Sequence, residues 1–195
     1  RFGFHKVDKT GHPIYYQLLS KLNPNKLFET FSSETLIKYF VQLYENMMKY
    51  RFKACSKVRG EVIEEACIIL DIEGIGITDL FGKTRSFLIL TTKISQDYYP
   101  CNMSKMFLIN TNRFFGLVYN IVKGLIDLES RKKIELLGND YKEKVLEYVD
   151  PDNLPTFLGG NCTCPNVPGG CLYCDIGPWN PKGKKFRYTP NNNDY

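Results

Sequence analysis

The chain has 195 residues, 43% of them hydrophobic and 24% charged, enough for one good core in a single domain. A net charge of +5 is mild, a soluble surface with at most a non-specific pull toward anionic membranes, and it does not mark a nucleic-acid binder. No run of 18 apolar residues and no signal-like apolar stretch near the start occurs, which argues against a spanning helix and a secretory signal.

The elements alternate along the chain. The turn Asp8-Lys9-Thr10-Gly11 leads into a strand over 13–19. Ser32 reads as an N-cap, with Phe31 and Leu36 as a hydrophobic staple. The helix it opens keeps Leu36, Phe40, Leu43, Tyr44, Met47 and Met48 at helical spacing to about residue 51. Residues 66–72 are a continuous, β-branched-rich run, suited to a strand covered on both faces. Thr78 reads as the N-cap of a second helix reaching residue 94, closed by a proline-bounded turn over 94–100. A central strand over 105–111, a short strand over 133–137 and a helix over 140–149 follow. Connections of this length make strand neighbours parallel, which gives an α/β fold.

Residues 114–126 (FFGLVYNIVKGLI) carry nine large apolar residues in thirteen and have no solvent face. Spanning a bilayer core takes about 20 residues. The segment is therefore either a core helix or a helix that closes an apolar cavity.

Sequence signatures of catalysis are missing. Gly74 and Gly76 lack the third glycine of a dinucleotide fingerprint, and there is no G-x-x-x-x-G-K-[ST], H-E-x-x-H or G-x-S-x-G. Arg59 follows Cys55 too closely for a phosphatase loop. The two histidines, His5 and His12, flank the turn near the N-terminus, where solvated or turn-bonding roles are expected. An apolar lining with few titratable groups suits acyl chains better than acid-base chemistry, so the expectation is no enzyme.

The chain resembles the CRAL-TRIO lipid-binding domains, most closely the Sec-fourteen-like phosphatidylinositol transfer proteins. The resemblance is carried, in order, by residues 5–16 (HKVDKTGHPIYY), 50–56 (YRFKACS), 69–75 (ILDIEGI), 94–100 (ISQDYYP), 153–160 (NLPTFLGG) and 175–179 (DIGPW). It implies a mainly parallel sheet of about five strands flooring an apolar cavity closed by a mobile gate helix. The domain would cover residues 1–179, with a basic, Pro- and Asn-rich tail over 180–195 expected to be disordered. The family's helical N-terminal lobe does not precede this domain, and Arg1 is not a methionine, so the sequence is expected to be a fragment.

The gate would be residues 114–126, flanked by Gly116 and Gly124 as hinges, with Phe115, Tyr119, Val122 and Leu125 meeting acyl chains when closed and bilayer when open. Ser130 and Lys133 stand where phosphatidylinositol-binding members hold the phosphoinositol, serine replacing threonine. Lys133 has a plainer reading as a solvated charge in the run Arg131-Lys132-Lys133. Cys101 replaces the family's acidic residue after Tyr98-Tyr99-Pro100. At the second pole Tyr44, Ser95 and Tyr99 match retained lipid-binding positions, while Phe4, Ala66 and Ile68 lack the hydroxyls of phosphatidylcholine-binding members.

Phosphatidylinositol is thus expected over phosphatidylcholine, with a second hydrophobic ligand left open and no cofactor required. The resemblance implies a cytoplasmic monomer, peripheral on Golgi or other internal membranes, that transfers lipid or presents it to lipid kinases. The alternative is a lipid-sensing module that regulates a partner without bulk transfer.

Seven cysteines are an odd number, and Cys67 sits inside an apolar run, which suits free thiols in a cytosolic protein. Cys162, Cys164, Cys171 and Cys174 stand at C-x-C and C-x-x-C spacing. They form either a tetrahedral zinc site or reduced structural thiols.

Overall fold

The computed structural model describes residues 2–19, 24–99, 102–113 and 115–183. A five-stranded sheet runs in sequence order: β1 (Phe2–Val7), β2 (Pro13–Leu18), β3 (Ala66–Asp71), β4 (Met103–Ile109) and β5 (Ile134–Leu136). β1 pairs antiparallel with β2, and every later pair is parallel.

The antiparallel start follows from the predicted turn. Asp8 Oδ1 accepts the N–H groups of Thr10 and His12, each at 2.9 Å, and Gly11 takes φ +95°. A two-strand hairpin needs only such a turn, whereas each parallel pair needs a helical crossover. The crossovers supply α1 (Pro24–Thr30), α2 (Ser33–Asn46) and α3 (Lys53–Arg59) before β3, α4 (Gly82–Tyr98) before β4, and α5 (Phe115–Val122) with α6 (Leu128–Lys132) before β5. α7 (Lys142–Tyr148) follows β5.

Ser32 caps α2 as predicted, its side chain accepting the Thr35 N–H at 3.1 Å. Ser32→Ala should cost about 1 kcal/mol of stability in denaturant unfolding, a typical value for a lost N-cap. α2 does not stop near residue 51. It passes through a π-helical stretch, Met47–Phe52, into α3, which ends at Gly60 in the left-handed region (φ +78°). The wider turn brings both Arg51 and Phe52 inward to buried positions.

Thr78 does not cap α4. It lies in a 3-10 turn, Ile77–Leu80, where Asp79 accepts the Gly76 N–H at 2.9 Å, and α4 begins at Gly82 with φ +59°. The local carboxylate organises the turn, and the glycine redirects the chain only after it.

The two faces of the sheet are filled differently. On one, Ile14, Tyr16, Cys67, Ile69, Phe107 and Ile109 are fully buried beneath α7 and the segment after it, through Val145, Val149, Leu154 and Leu158. This is the core. The opposite face carries α2, the π stretch, α3 and α5.

Candidate functional site

Strand register lays out the second face row by row. Tyr15, Ile68, Met106 and Ile134 are successive neighbours across β2 to β5, and the next row is Gln17, Leu70, Leu108 and Leu136. All but Leu108 remain open to solvent in part, although seven of the eight are apolar or aromatic. The helices on this side match it: α2 buries no side chain at all, and α4, which packs against α2 and the 3-10 turn after α5, buries only Thr91. A face shut by ordinary core packing would bury these rows as completely as the opposite face buries Cys67, Ile69 and Phe107. Apolar surface left in water costs roughly 25 cal/mol per Å², so this wall favours an apolar occupant.

α5 stands at the β4–β5 side of that face. Phe115 anchors it against Ile72 and Leu108, with Tyr119 packed beside them, while Leu117 is 57% exposed. The predicted helix over 114–126 is shorter than expected, because the chain tightens to a 3-10 turn over Lys123–Leu125. Gln96 of α4 donates to the Leu125 carbonyl at 2.9 Å, tying the end of this segment to α4. Neither Gly116 nor Gly124 has a positive φ, and a Cβ at either would meet nothing within 4 Å. Packing therefore does not account for these glycines. Phe114 and the side chain of Val122 lie outside the described residues, as do Pro100 and Cys101.

Of the five predicted lipid-contacting residues, three come together. Tyr44 of α2 stacks on Tyr99 at 4.7 Å between ring centroids. Burial pushes the Tyr44 hydroxyl up, offset in part by its hydrogen bond with Ser95. Tyr99 donates to Glu45 at 2.8 Å, and burial with that carboxylate raises its hydroxyl to about 12. Both phenols therefore stay neutral donors at any physiological pH.

Ser130 and Lys133 form a separate group at the start of β5. Ser130 sits in the first turn of α6, where Asp127 caps its N–H at 2.8 Å. Lys133 is not simply solvated: it donates to Glu65 at 2.6 Å and to the Met103 carbonyl at 2.7 Å. Glu65, 68 residues away in sequence, is a partner of Lys133 that no local sequence pattern signals.

Of the three positions lacking hydroxyls, two are closed, while Ile68 lies half-buried on the open row. Phe4 and Ala66 are buried, and Phe4 packs against Tyr15 and Trp179 with the Arg51 guanidinium 4.0 Å above its ring. Arg51 is itself held by Asp175 at 3.1 Å.

A second constellation lies under β1. His5 is fully buried within a strand, not solvated beside the turn. The correction follows from β1, whose pairing with β2 alternates Phe4 and His5 onto opposite faces. Only His12 is turn-bonding, through Asp8 at 2.9 Å. A ring nitrogen of His5 and the Sγ atoms of Cys162, Cys164 and Cys171 all lie within 4.8 Å of one another. Cys174, the fourth predicted ligand, falls outside that group and has its Sγ 3.1 Å from His5 Nδ1.

Comparison with known proteins agrees with this architecture. The model of the CRAL/TRIO domain matches residues 1–160. The Sec14 cytosolic factor of Schizosaccharomyces pombe is 41% identical over 176 residues, covering 90% of this chain and 60% of that protein. The phosphatidylinositol/phosphatidylcholine transfer protein SFH11 of Arabidopsis thaliana is 38% identical over 183 residues, covering 94% and 48%. The chain thus spans about half to three fifths of the length of these two relatives. The crystal structure of Sfh5 superposes with a TM-score of 0.63 at 19% identity over 76% of this chain and 52% of that one, a likeness of fold alone. With a five-stranded, mostly parallel sheet under that domain match, the chain belongs to the CRAL/TRIO domain family.

Proposed function

We propose that this domain holds phosphatidylinositol against the half-buried face of its sheet and exchanges it between cytosol-facing membranes, acting as a carrier without chemistry. The observation that carries this reading is the pair of largely apolar rows from β2 to β5 that α2 and α5 leave only partly buried. Two acyl chains laid on such a wall leave water at about 0.8 kcal/mol per methylene. The relatives' names support the lipid class: SFH11 is called a phosphatidylinositol/phosphatidylcholine transfer protein.

Closed, hydroxyl-free packing at Phe4 and Ala66 favours phosphatidylinositol over phosphatidylcholine, because a phosphate buried there would lack donors. Arg51 offers no substitute, since Asp175 already holds its guanidinium. Tyr44, Ser95 and Tyr99 line part of the binding face, and Ser130 with Lys133 reads the headgroup where β4 and β5 begin. The protein works at the cytosolic surface of Golgi or other internal membranes, where it presents the lipid to lipid kinases. No described helix is long and apolar enough to cross a membrane, so contact with the bilayer is peripheral in this reading.

α5 with its 3-10 continuation is the gate. Its exposed Leu117 and unconstrained glycines suit an element that leaves the sheet for a bilayer. The Gln96 hydrogen bond to Leu125 is then a latch. Gln96→Ala removes a bond worth about 0.5–1.5 kcal/mol, so lipid exchange should speed up about 2- to 12-fold. Stopped-flow transfer of a fluorescent phosphatidylinositol measures this, and an unchanged rate removes the latch.

The function itself is tested by vesicle-to-vesicle transfer of radiolabelled phosphatidylinositol and phosphatidylcholine, with native mass spectrometry of protein purified from cells. Catalytic transfer of phosphatidylinositol, and that lipid in the purified protein, are expected. Stoichiometric lipid binding without transfer would support the sensing module instead.

A further inference from the structure

We infer that His5 and Cys162, Cys164 and Cys171 form a zinc site, with Cys174 orienting the histidine rather than ligating the metal. The set joins the first strand of the sheet to the loop more than 150 residues later, and it differs from the four-cysteine set that spacing alone suggests.

Two independent observations converge. The first is geometric: four donor atoms, one imidazole nitrogen and three thiol sulfurs, already lie within 4.8 Å of one another, with Cys162 and Cys164 sulfurs 3.6 Å apart. Ligands at about 2.3 Å for sulfur and 2.0–2.1 Å for nitrogen around one tetrahedral ion need only a small contraction of this cluster.

The second is an unmet polar atom. His5 is fully buried, yet its Nε2 has no hydrogen-bond partner among the described residues. Native interiors seldom leave such an atom idle, and a bound ion is one of the few explanations. Nδ1 is engaged by Cys174 Sγ at 3.1 Å, which leaves Nε2 as the ligand nitrogen. A ligating histidine usually has its other nitrogen held by a second group, and that contact fixes ring orientation and tautomer.

The donor set decides the metal class. Thiolates with one imidazole in tetrahedral array suit zinc rather than magnesium or calcium, which take oxygen ligands. On binding, the three thiols lose three protons to solvent and no electron moves, so Zn²⁺ with three thiolates and a neutral imidazole carries a net charge of −1. Lys6, the residue after His5, lines the same groove as Cys162 and is placed to offset that charge. A groove of about 480 Å³ lined by Lys6, Asp152, Asn161, Cys162 and Cys164 reaches the cluster from solvent and gives an ion its way in.

The surrounding bonds show what the ion would fasten. Lys6 N–H donates to the Ile176 carbonyl at 2.6 Å and Tyr16 hydroxyl to the Cys171 carbonyl at 3.1 Å, while the Cys171 thiol, which donates to the Cys162 carbonyl at 3.1 Å, gives up that proton when it ligates. The metal completes this frame and clamps residues 162–174 onto β1.

The test starts from wild-type protein purified under reducing conditions without chelator. Elemental analysis should find one zinc per chain, and X-ray absorption at the zinc edge should find three sulfurs and one nitrogen in the first shell. Cys164→Ser and His5→Gln should lose the metal. Cys174→Ser should keep it with affinity about 10- to 100-fold lower in chelator competition, the usual effect of losing an orienting partner. A four-sulfur shell, or zinc lost from Cys174→Ser and kept by His5→Gln, would overturn the assignment in favour of four cysteines. Wild-type protein that holds no zinc, and retains none through gel filtration after one equivalent is added, would leave only reduced thiols. The absorption spectrum is read on the wild type, so the ligand set is decided even if a variant fails to fold.

Discussion

Replacing Lys133 with alanine is expected to lower phosphatidylinositol transfer at least tenfold, while Glu65→Gln leaves transfer intact or raises it. Both side chains of this ion pair are 33% exposed. A pair this open contributes about 0–1 kcal/mol to stability, so breaking it cannot by itself reduce transfer tenfold. A charge-assisted bond from Lys133 to a phosphodiester is worth about 1.5–3 kcal/mol, and every 1.4 kcal/mol is about a factor of ten. Lys133→Ala loses both interactions, whereas Glu65→Gln loses only the first and frees the ammonium for the headgroup. The two variants thus separate a structural lysine from a reading one. Transfer between vesicles, paired with thermal unfolding of each variant, supplies the measurement. Equal losses in the two variants would mean that Lys133 only holds β5 against residue 65.

Much of the sheet was legible because its central strands are simple. β3 and β4 carry short apolar runs, which composition alone marks as strands, although the expected burial on both faces holds on one only, the other being half-buried. β1 was not read, because Gly3, His5 and Lys6 interrupt the run Phe2–Val7 and its pairing depends on the hairpin with β2. The misplacement of His5 followed directly: without a strand, nothing says that the residue after Phe4 points into the interior. Short helices such as α6, five residues capped by Asp127, carry too little periodicity to be seen.

The candidate site divides in the same way. Tyr44, Ser95 and Tyr99 were named together from the resemblance, and they meet because α2 and α4 cross over one face. What the sequence could not hold were partners fixed by long-range folding: Glu65 for Lys133, Glu45 for Tyr99, and His5 for the cysteines. Apolar periodicity likewise names the face of α2 but not how fully it is covered. The half-burial that supports lipid binding exists only once α2, α5 and the sheet are assembled.

Arg51→Ala should cost the domain about 3–5 kcal/mol, the usual result of removing one partner from a buried ion pair. Arg51 enters the interior through the π-helical stretch Met47–Phe52 and is 8% exposed at its side chain, against 17% for Asp175. Its Nη2 donates to both Asp175 oxygens, at 3.2 and 3.1 Å, and its guanidinium lies 4.0 Å over the Phe4 ring. Trp179 Nε1 donates to the same carboxylate at 3.1 Å. Burial raises the Asp175 pKa, and the charge and hydrogen bond of Arg51 pull it part of the way back. In the variant that pull is gone and a nearly dry carboxylate faces Phe4 and Trp179 without a counter-charge. For a domain of this size about 2–4 °C of Tm is lost per kcal/mol, so a fall of roughly 6–20 °C is expected. The sign of the pH dependence checks the cause. A carboxyl whose folded pKa is raised adds stability that is present below its unfolded pKa and lost as pH rises through the folded one. The gap between variant and wild type should therefore narrow as pH falls from 7 toward the carboxylate range. The double variant Arg51→Met with Asp175→Asn should recover much of the loss, because it buries no charge at all. If the double variant is as unstable as Arg51→Ala at every pH, packing of the arginine stem on Phe4, rather than the orphaned carboxylate, is what holds the C-terminal segment to the second face of the sheet.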